Sequence, residues 1–195
     1  MRSTLIHNSL KMITIMIVII SVLHHPIQVG AAAQTHDKFD EYQVKSVFLY
    51  NLAFFIFWPE ESFNKTDRKF VITILGNDKF GRNLEEITKN EKVGDYPIIV
   101  RRINSIKNLQ SSHILFITSG FANTMSTIIE KVDKRGILTV SDYSNFLSAG
   151  GAVNLQIHNN KLHLGLNPSA AKKNNLVFSS KLLQLAKHIE STPHD

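Results

Sequence analysis

Between Val44 and Phe63 the chain reads VKSVFLYNLAFFIFWPEESF, and apolar side chains cover most of a helical wheel along it. Phe48, Tyr50, Phe54, Phe55, Phe57 and Trp58 fall within eleven residues, and Lys45, Ser46 and Asn51 are the main polar exceptions. A helix that is apolar nearly all round is expected to be buried on several sides. Asp37 or Asp40 can cap its first turn and favour its positive end. Trp58-Pro59 sets the expected exit, because the residue before a proline avoids the α region. The rest of the domain is expected to pack against this helix.

Downstream, short β-branched runs alternate with helical patterns. Phe70 to Leu75, Tyr96 to Ile103, His113 to Thr118 and Ile137 to Val140 read as strands. Helices are expected from about Phe80 to Lys89, briefly from Ser105 to Gln110, from about Phe121 to Val132, and from a Ser141-Asp142 cap to about Leu147. Such alternation implies parallel strands joined by right-handed crossovers. Fully apolar strands fit a sheet covered on both faces. Ala152 to His158 and Lys161 to Asn167 flank Asn159-Asn160, which reads as a two-residue hairpin turn. That turn pairs His158 with Lys161, Ile157 with Leu162, Leu155 with Leu164 and Val153 with Leu166, placing the apolar residues on one face. Pro168 to Lys173 starts a short helix, and Lys181 to Ile189 has the spacing of an amphipathic one. The expected architecture is a Rossmann-like layered α/β domain. It has a mostly parallel central sheet, a C-terminal antiparallel hairpin and helices on both faces.

The first 33 residues have a different pattern. Arg2, His7 and Lys11 precede Met12 to Leu23, a run apolar apart from Thr14 and Ser21, and Pro26 and Ala31-Ala32-Ala33 follow. The apolar run is shorter than the roughly 20 residues of a membrane span. This is the layout of an export signal cleaved after about Ala33, with an uncleaved anchor as the alternative. The expected organisation is a signal peptide over 1–33, a polar lead-in over 34–40, one domain over 41–190 and a polar tail over 191–195. An exported domain argues against chemistry that depends on ATP or NAD. Asn64-Lys65-Thr66 fits the glycosylation pattern, which matters only in a eukaryotic secretory pathway.

Composition removes several function classes. The 195 residues contain no cysteine, which excludes a disulfide scaffold, a cysteine nucleophile and thiolate metal sites. Net charge is +6, but the basic residues are interspersed with acidic ones, so no nucleic-acid partner is expected. There is no G-x-S-x-G elbow and no evident acid–base pair, and His113 has no visible serine or acid partner. The expectation is a protein without catalysis and without cofactor.

Two places retain candidate chemistry. In the hairpin register His158 and His163 are diagonal neighbours, about 7–8 Å apart at the backbone. Two histidines at that spacing could share a metal, but the hairpin offers no third ligand and Lys161 adds repulsion. A solvated strand face is therefore the expectation there. The loops at the carboxyl ends of the parallel strands carry Asn77, Asp78, Phe80, Ser119, Ser141 and Asp142. Open α/β sheets bind ligands at such loops, although caps are what these polar residue types usually supply at helix starts. Their convergence would make a small-molecule pocket.

Four motifs in order resemble the YfiR family of exported bacterial proteins. They are Lys45-Ser46-Val47-Phe48-Leu49-Tyr50-Asn51 with Phe55 and Trp58-Pro59; Ile74-Leu75-Gly76-Asn77-Asp78 with Phe80-Gly81; and His113-Ile114-Leu115-Phe116-Ile117 with Leu138-Thr139-Val140-Ser141-Asp142. The fourth is Gly150-Gly151-Ala152-Val153-Asn154-Leu155 followed by Leu166-Asn167 and Ser179-Ser180-Lys181-Leu182-Leu183. The resemblance implies a periplasmic regulator that restrains an inner-membrane diguanylate cyclase, or a sensor kinase, through its periplasmic part. It also implies capture by an OmpA-like outer-membrane lipoprotein and a link from cyclic di-GMP to biofilm formation; a homodimer is left open. The family's disulfides cannot carry over to a chain without cysteine. Capture by a partner needs an exposed apolar patch, for which Phe54, Phe57, Trp58 and Phe63 are the candidates, with burial in the core as the alternative for each.

Overall fold

The computed structural model describes residues 40–63 and 67–190. The export signal over 1–33, the lead-in up to residue 39, the Asn64-Lys65-Thr66 triplet and the tail over 191–195 lie outside the described residues. Helix α1 spans Glu41–Phe55 and is capped by Asp40, whose carboxylate accepts the backbone N–H groups of Tyr42 (2.9 Å) and Gln43 (3.2 Å). It stops at Phe55, short of the Trp58-Pro59 boundary. Ile56 turns extended, and β1 (Ile56–Phe57) pairs antiparallel with a later segment, Val177–Phe178. A strand partner thus ends the helix before the proline does.

The expectation that α1 is buried on several sides needs a second correction. Its buried residues are Lys45, Ser46, Leu49, Leu52 and Ala53. The apolar Val47 and Phe54 are 45% and 49% exposed. Two of the three polar exceptions, Lys45 and Ser46, face inward, and part of the apolar face meets solvent.

The remaining elements are β2 (Phe70–Leu75), α2 (Asn83–Thr88), β3 (Lys92–Val93), β4 (Tyr96–Ile103), β5 (Ile114–Ile117), α3 (Met125–Val132), β6 (Leu138–Ser141), β7 (Val153–His158), β8 (Lys161–Leu166), α4 (Pro168–Lys173), β9 (Val177–Phe178), α5 (Ser180–Leu185) and β10 (His188–Ile189). The main sheet has the order β10-β8-β7-β6-β5-β2-β4-β3. Strands β4, β2, β5, β6 and β7 are parallel neighbours, whereas β7–β8 and β3–β4 are antiparallel. The hairpin register matches the expected one pair for pair. Asn159 and Asn160 both have positive φ, 51° and 58°, as the tight turn requires.

Alternation along β5 divides the core. Ile114 and Phe116 join the cluster under α1 with Phe70, Ile72, Leu49 and Leu52. Leu115 and Ile117 join Met125, Ile128 and Val132 of α3 on the other face. The result is an α/β domain with a mostly parallel sheet and helices on both faces.

Two expected helices differ. No helix follows Ser141; residues 144–150 are a run of turns, and Ser141 Oγ accepts the Tyr143 N–H at 3.1 Å within a local turn. The helix expected over Lys181 to Ile189 ends at Leu185, and β10 then pairs parallel with β8. The backbone bonds Lys187 N–H to Leu164 O and Glu190 N–H to Leu166 O, both 2.8 Å, cover an edge that a longer helix would leave open. Among the described residues no helix is long and apolar enough to cross a membrane.

Candidate functional site

A polar cleft lies where α1 begins above the carboxyl end of β6. Asp142, the residue after β6, is its hub. Lys45 Nζ donates to Asp142 Oδ2 at 2.7 Å and also to Glu41, one turn earlier. Tyr42 donates its hydroxyl to the same Asp142 oxygen at 2.9 Å. Lys45 is 1% exposed, so its ammonium is held by partners rather than water. Burial first, and then the negative charge of Asp142, push the Tyr42 hydroxyl above its usual range and keep it protonated as a donor.

Lys79, Ser119, Gln156, Ile157 and His158 complete a cavity of about 260 Å³. Of the residues expected at a strand-end pocket, the cavity contains Ser119 and Asp142. Asn77 is exposed. Asp78 caps its own turn by accepting the Phe80 N–H at 2.8 Å and pairs with Arg102, which also binds Glu85. Phe80 lies beneath the cleft, edge-on to Tyr42 (5.2 Å) and Phe116 (4.8 Å). Ser141 points inward and donates to Ile117 O at 2.6 Å. Sequence reasoning missed Tyr42, Lys45 and Glu41. The signal available for them was the Glu41–Lys45 spacing of four at the start of an otherwise apolar helix.

The four aromatic candidates separate into two pairs. Trp58 donates its indole N–H to Ala53 O at 2.9 Å and packs edge-on to Phe70 (5.2 Å). Phe63 packs on Tyr96 at 4.7 Å and on His113 at 5.4 Å. Both belong to an aromatic cluster at the amino ends of β2, β4 and β5. Its centre is His113, stacked on Phe70 at 4.4 Å. The other pair faces solvent: Phe54 is 49% exposed and Phe57 65%. Phe57 lies directly across from Val177, itself 57% exposed. Phe54 meets Tyr50 edge-on at 5.2 Å, and Val47 lies one turn before Tyr50 on the same helix face. This apolar surface was partly foreseen, through Phe54 and Phe57. Val47 was not, because α1 was expected to be buried on several sides, and Val177 was not, because neither β1 nor β9 is visible in the local pattern.

The model of the YfiR/HmsC-like family matches residues 42–187. The chain belongs to the YfiR/HmsC-like family. YfiR-like proteins are periplasmic regulators rather than enzymes. Among solved structures, a conserved domain protein from Vibrio cholerae O1 biovar eltor str. N16961 is similar at 11% identity, with a TM-score of 0.45, over 62% of this chain and 54% of that one. An ABC domain in complex with L-Trp from Streptococcus pneumonia is similar at 9% identity, with a TM-score of 0.47, over 62% of this chain and 55% of that one. The chain thus spans about half the length of these two structures. No curated protein matches it.

Proposed function

We propose that this YfiR-like protein is an exported signalling regulator that works by protein–protein contact, without turnover. It binds the periplasmic sensor region of an inner-membrane protein, a diguanylate cyclase, and thereby controls cyclic di-GMP output. The observation that carries the reading is the outward apolar surface of Val47, Phe54, Phe57 and Val177. A helix that buries a lysine while leaving two large apolar side chains half in water is oriented for something other than its own core. Phe57 and Phe54 are the anchors of the contact, as aromatic side chains commonly are.

The polar cleft favours a second reading, a small-molecule site, less strongly. Its volume of about 260 Å³ lies just below the roughly 300–1,000 Å³ of ordinary ligand pockets. Its buried cation is already bonded to two carboxylates, so little binding energy is left for a ligand.

The test is cellular. A strain lacking the gene is complemented with the natural protein or with a Phe54→Ser/Phe57→Ser variant, and cyclic di-GMP is measured. Both side chains are exposed, so the variant should keep its melting temperature, since surface changes usually stay within about 0.5 kcal/mol. Loss of two anchors worth about 2 kcal/mol each should abolish the effect on cyclic di-GMP. Full complementation by the folded variant rejects this surface.

A further inference from the structure

The hairpin by itself offers two histidines and no third donor. The fold changes that premise, because β10 pairs beside β8 and adds His188 and Glu190 to the same polar face. Register fixes the order along the strands. His158 is level with Lys161, His163 with Gln156, and His188 with Gly165. The three histidines therefore form a diagonal row across three adjacent strands, with His163 in the middle. All three line one cavity of about 260 Å³. Gly165, level with His188, puts no side chain into it.

We propose that this face binds a divalent transition-metal ion of borderline softness through His158, His163 and His188. Three features carry the assignment. First, two imidazoles sharing a tetrahedral ion, with metal–nitrogen bonds of about 2.0–2.1 Å, have ring centroids about 5 Å apart. The rings of His158 and His163 are 5.1 Å apart at an angle of 84°. Second, the outer two histidines already carry the oxygen partners that orient metal-binding imidazoles. Nε2 of His158 is 3.1 Å from Gln156 Oε1, and Nε2 of His188 is 3.2 Å from Glu190 Oε2. An oxygen acceptor holds the proton on Nε2 and leaves the Nδ1 lone pair for a ligand. Third, imidazole is the donor that suits zinc, copper and nickel, and it needs no thiolate in a chain that has no cysteine.

As they stand, no three such side chains among the described residues converge on one point. His158 and His188 are exposed and His163 is half-buried, so side-chain rotation is the movement binding requires. Lys161 and Lys187 flank the row and are exposed, where water and salt screen their repulsion.

The experiment is a calorimetric titration of Zn²⁺ into the full chain, carrying no polyhistidine tag, with Mg²⁺ as the control. One Zn²⁺ should bind per chain and Mg²⁺ should not. His163→Ala and His188→Gln should each weaken Zn²⁺ binding at least tenfold. Glu190→Gln should weaken it by about tenfold, as loss of an outer-shell partner does. His188 and Glu190 lie at the sheet edge, so these variants separate ligand loss from misfolding, with melting temperature as the check. Zn²⁺ affinity unchanged in His188→Gln, or no heat on Zn²⁺ addition to the natural protein, overturns the site.

Discussion

His113 makes the stability of the domain depend on acidity. Its side chain is 3% exposed among Phe70, Trp58 and Phe63. Nδ1 accepts the Val71 N–H at 3.0 Å, while Nε2 is buried without a hydrogen-bond partner among the described residues. Burial pushes the imidazole down to about 4, a shift the Ser62 backbone only partly offsets. The unfolded chain titrates near the ordinary value of about 6.5. Between these values the unfolded state binds the proton and the folded state does not. The neutral imidazole therefore contributes fully above about pH 6.5, and its contribution is lost as pH falls towards 4. At about 1.4 kcal/mol per unit, the loss is about 3 kcal/mol. His113→Asn keeps an acceptor for Val71 and removes the titration, at the expense of packing on Phe70. Urea unfolding of both proteins between pH 7.5 and 4 measures the difference. Trp58, the only tryptophan in the chain, reports it by fluorescence from inside the cluster. The natural protein should lose about 3 kcal/mol more than the variant across that range. Parallel losses, or a His113 NMR titration with its midpoint near 6.5, would refute the argument.

Other expectations follow from single contacts. Lys45→Met leaves Asp142 facing the cleft without its ammonium and should cost about 3–5 kcal/mol in denaturant unfolding; Lys45→Met/Asp142→Leu should regain most of it. Gly151→Ala puts a methyl 2.2–2.4 Å from ring atoms of the fully buried Phe146, and thermal unfolding should show a loss of about 1–3 kcal/mol from overpacking.

What the sequence made legible was whatever depends on near neighbours. The hairpin register follows from alternation and the Asn159-Asn160 turn, both local. The parallel strands follow from β-branched runs separated by helical stretches. Helix ends were less legible, because distant segments set them. Ile56 leaves α1 to pair with Phe178, and the chain leaves α5 after Leu185 to reach the free edge of β8. Nothing within KLLQLAKHI signals that edge. The site divides in the same way. Asp142 was visible as a strand-end residue, but its partner Lys45 lies 97 positions earlier, and local polarity marks Lys45 for solvent. His188 was hidden for the same reason, since its place beside Gly165 exists only once the sheet is assembled.

The orientation of α1 links the cleft to the apolar surface. At 3.6 residues per turn, Lys45, Leu49 and Leu52 share one side of the helix, and Val47, Tyr50 and Phe54 share the opposite side. Apolar burial alone chooses weakly between these sides, because both are rich in large apolar residues. Turning the second side inward would bury Val47 and Phe54 but expose Leu49 and Leu52, which are fully buried, and each of the four is worth about 1.5–3 kcal/mol. The apolar terms therefore nearly cancel. What remains is the Lys45–Asp142 pair, whose breakage by removal of one partner costs about 3–5 kcal/mol, so the ion pair decides the rotation and thereby keeps Phe54 outside. A double replacement that removes both charges and stays polar at position 45 is therefore informative beyond stability. In Lys45→Gln/Asp142→Ala the amide at position 45 has lost its partner and favours water, so the helix should turn Phe54 inward, and the variant should fail to complement cyclic di-GMP control although no residue of the apolar surface has changed. Solvent accessibility at a Phe54→Cys reporter, labelled with a thiol reagent in a chain that has no other cysteine, reads the rotation directly. Equal labelling rates with and without the double replacement would show that packing, and not the ion pair, sets the helix.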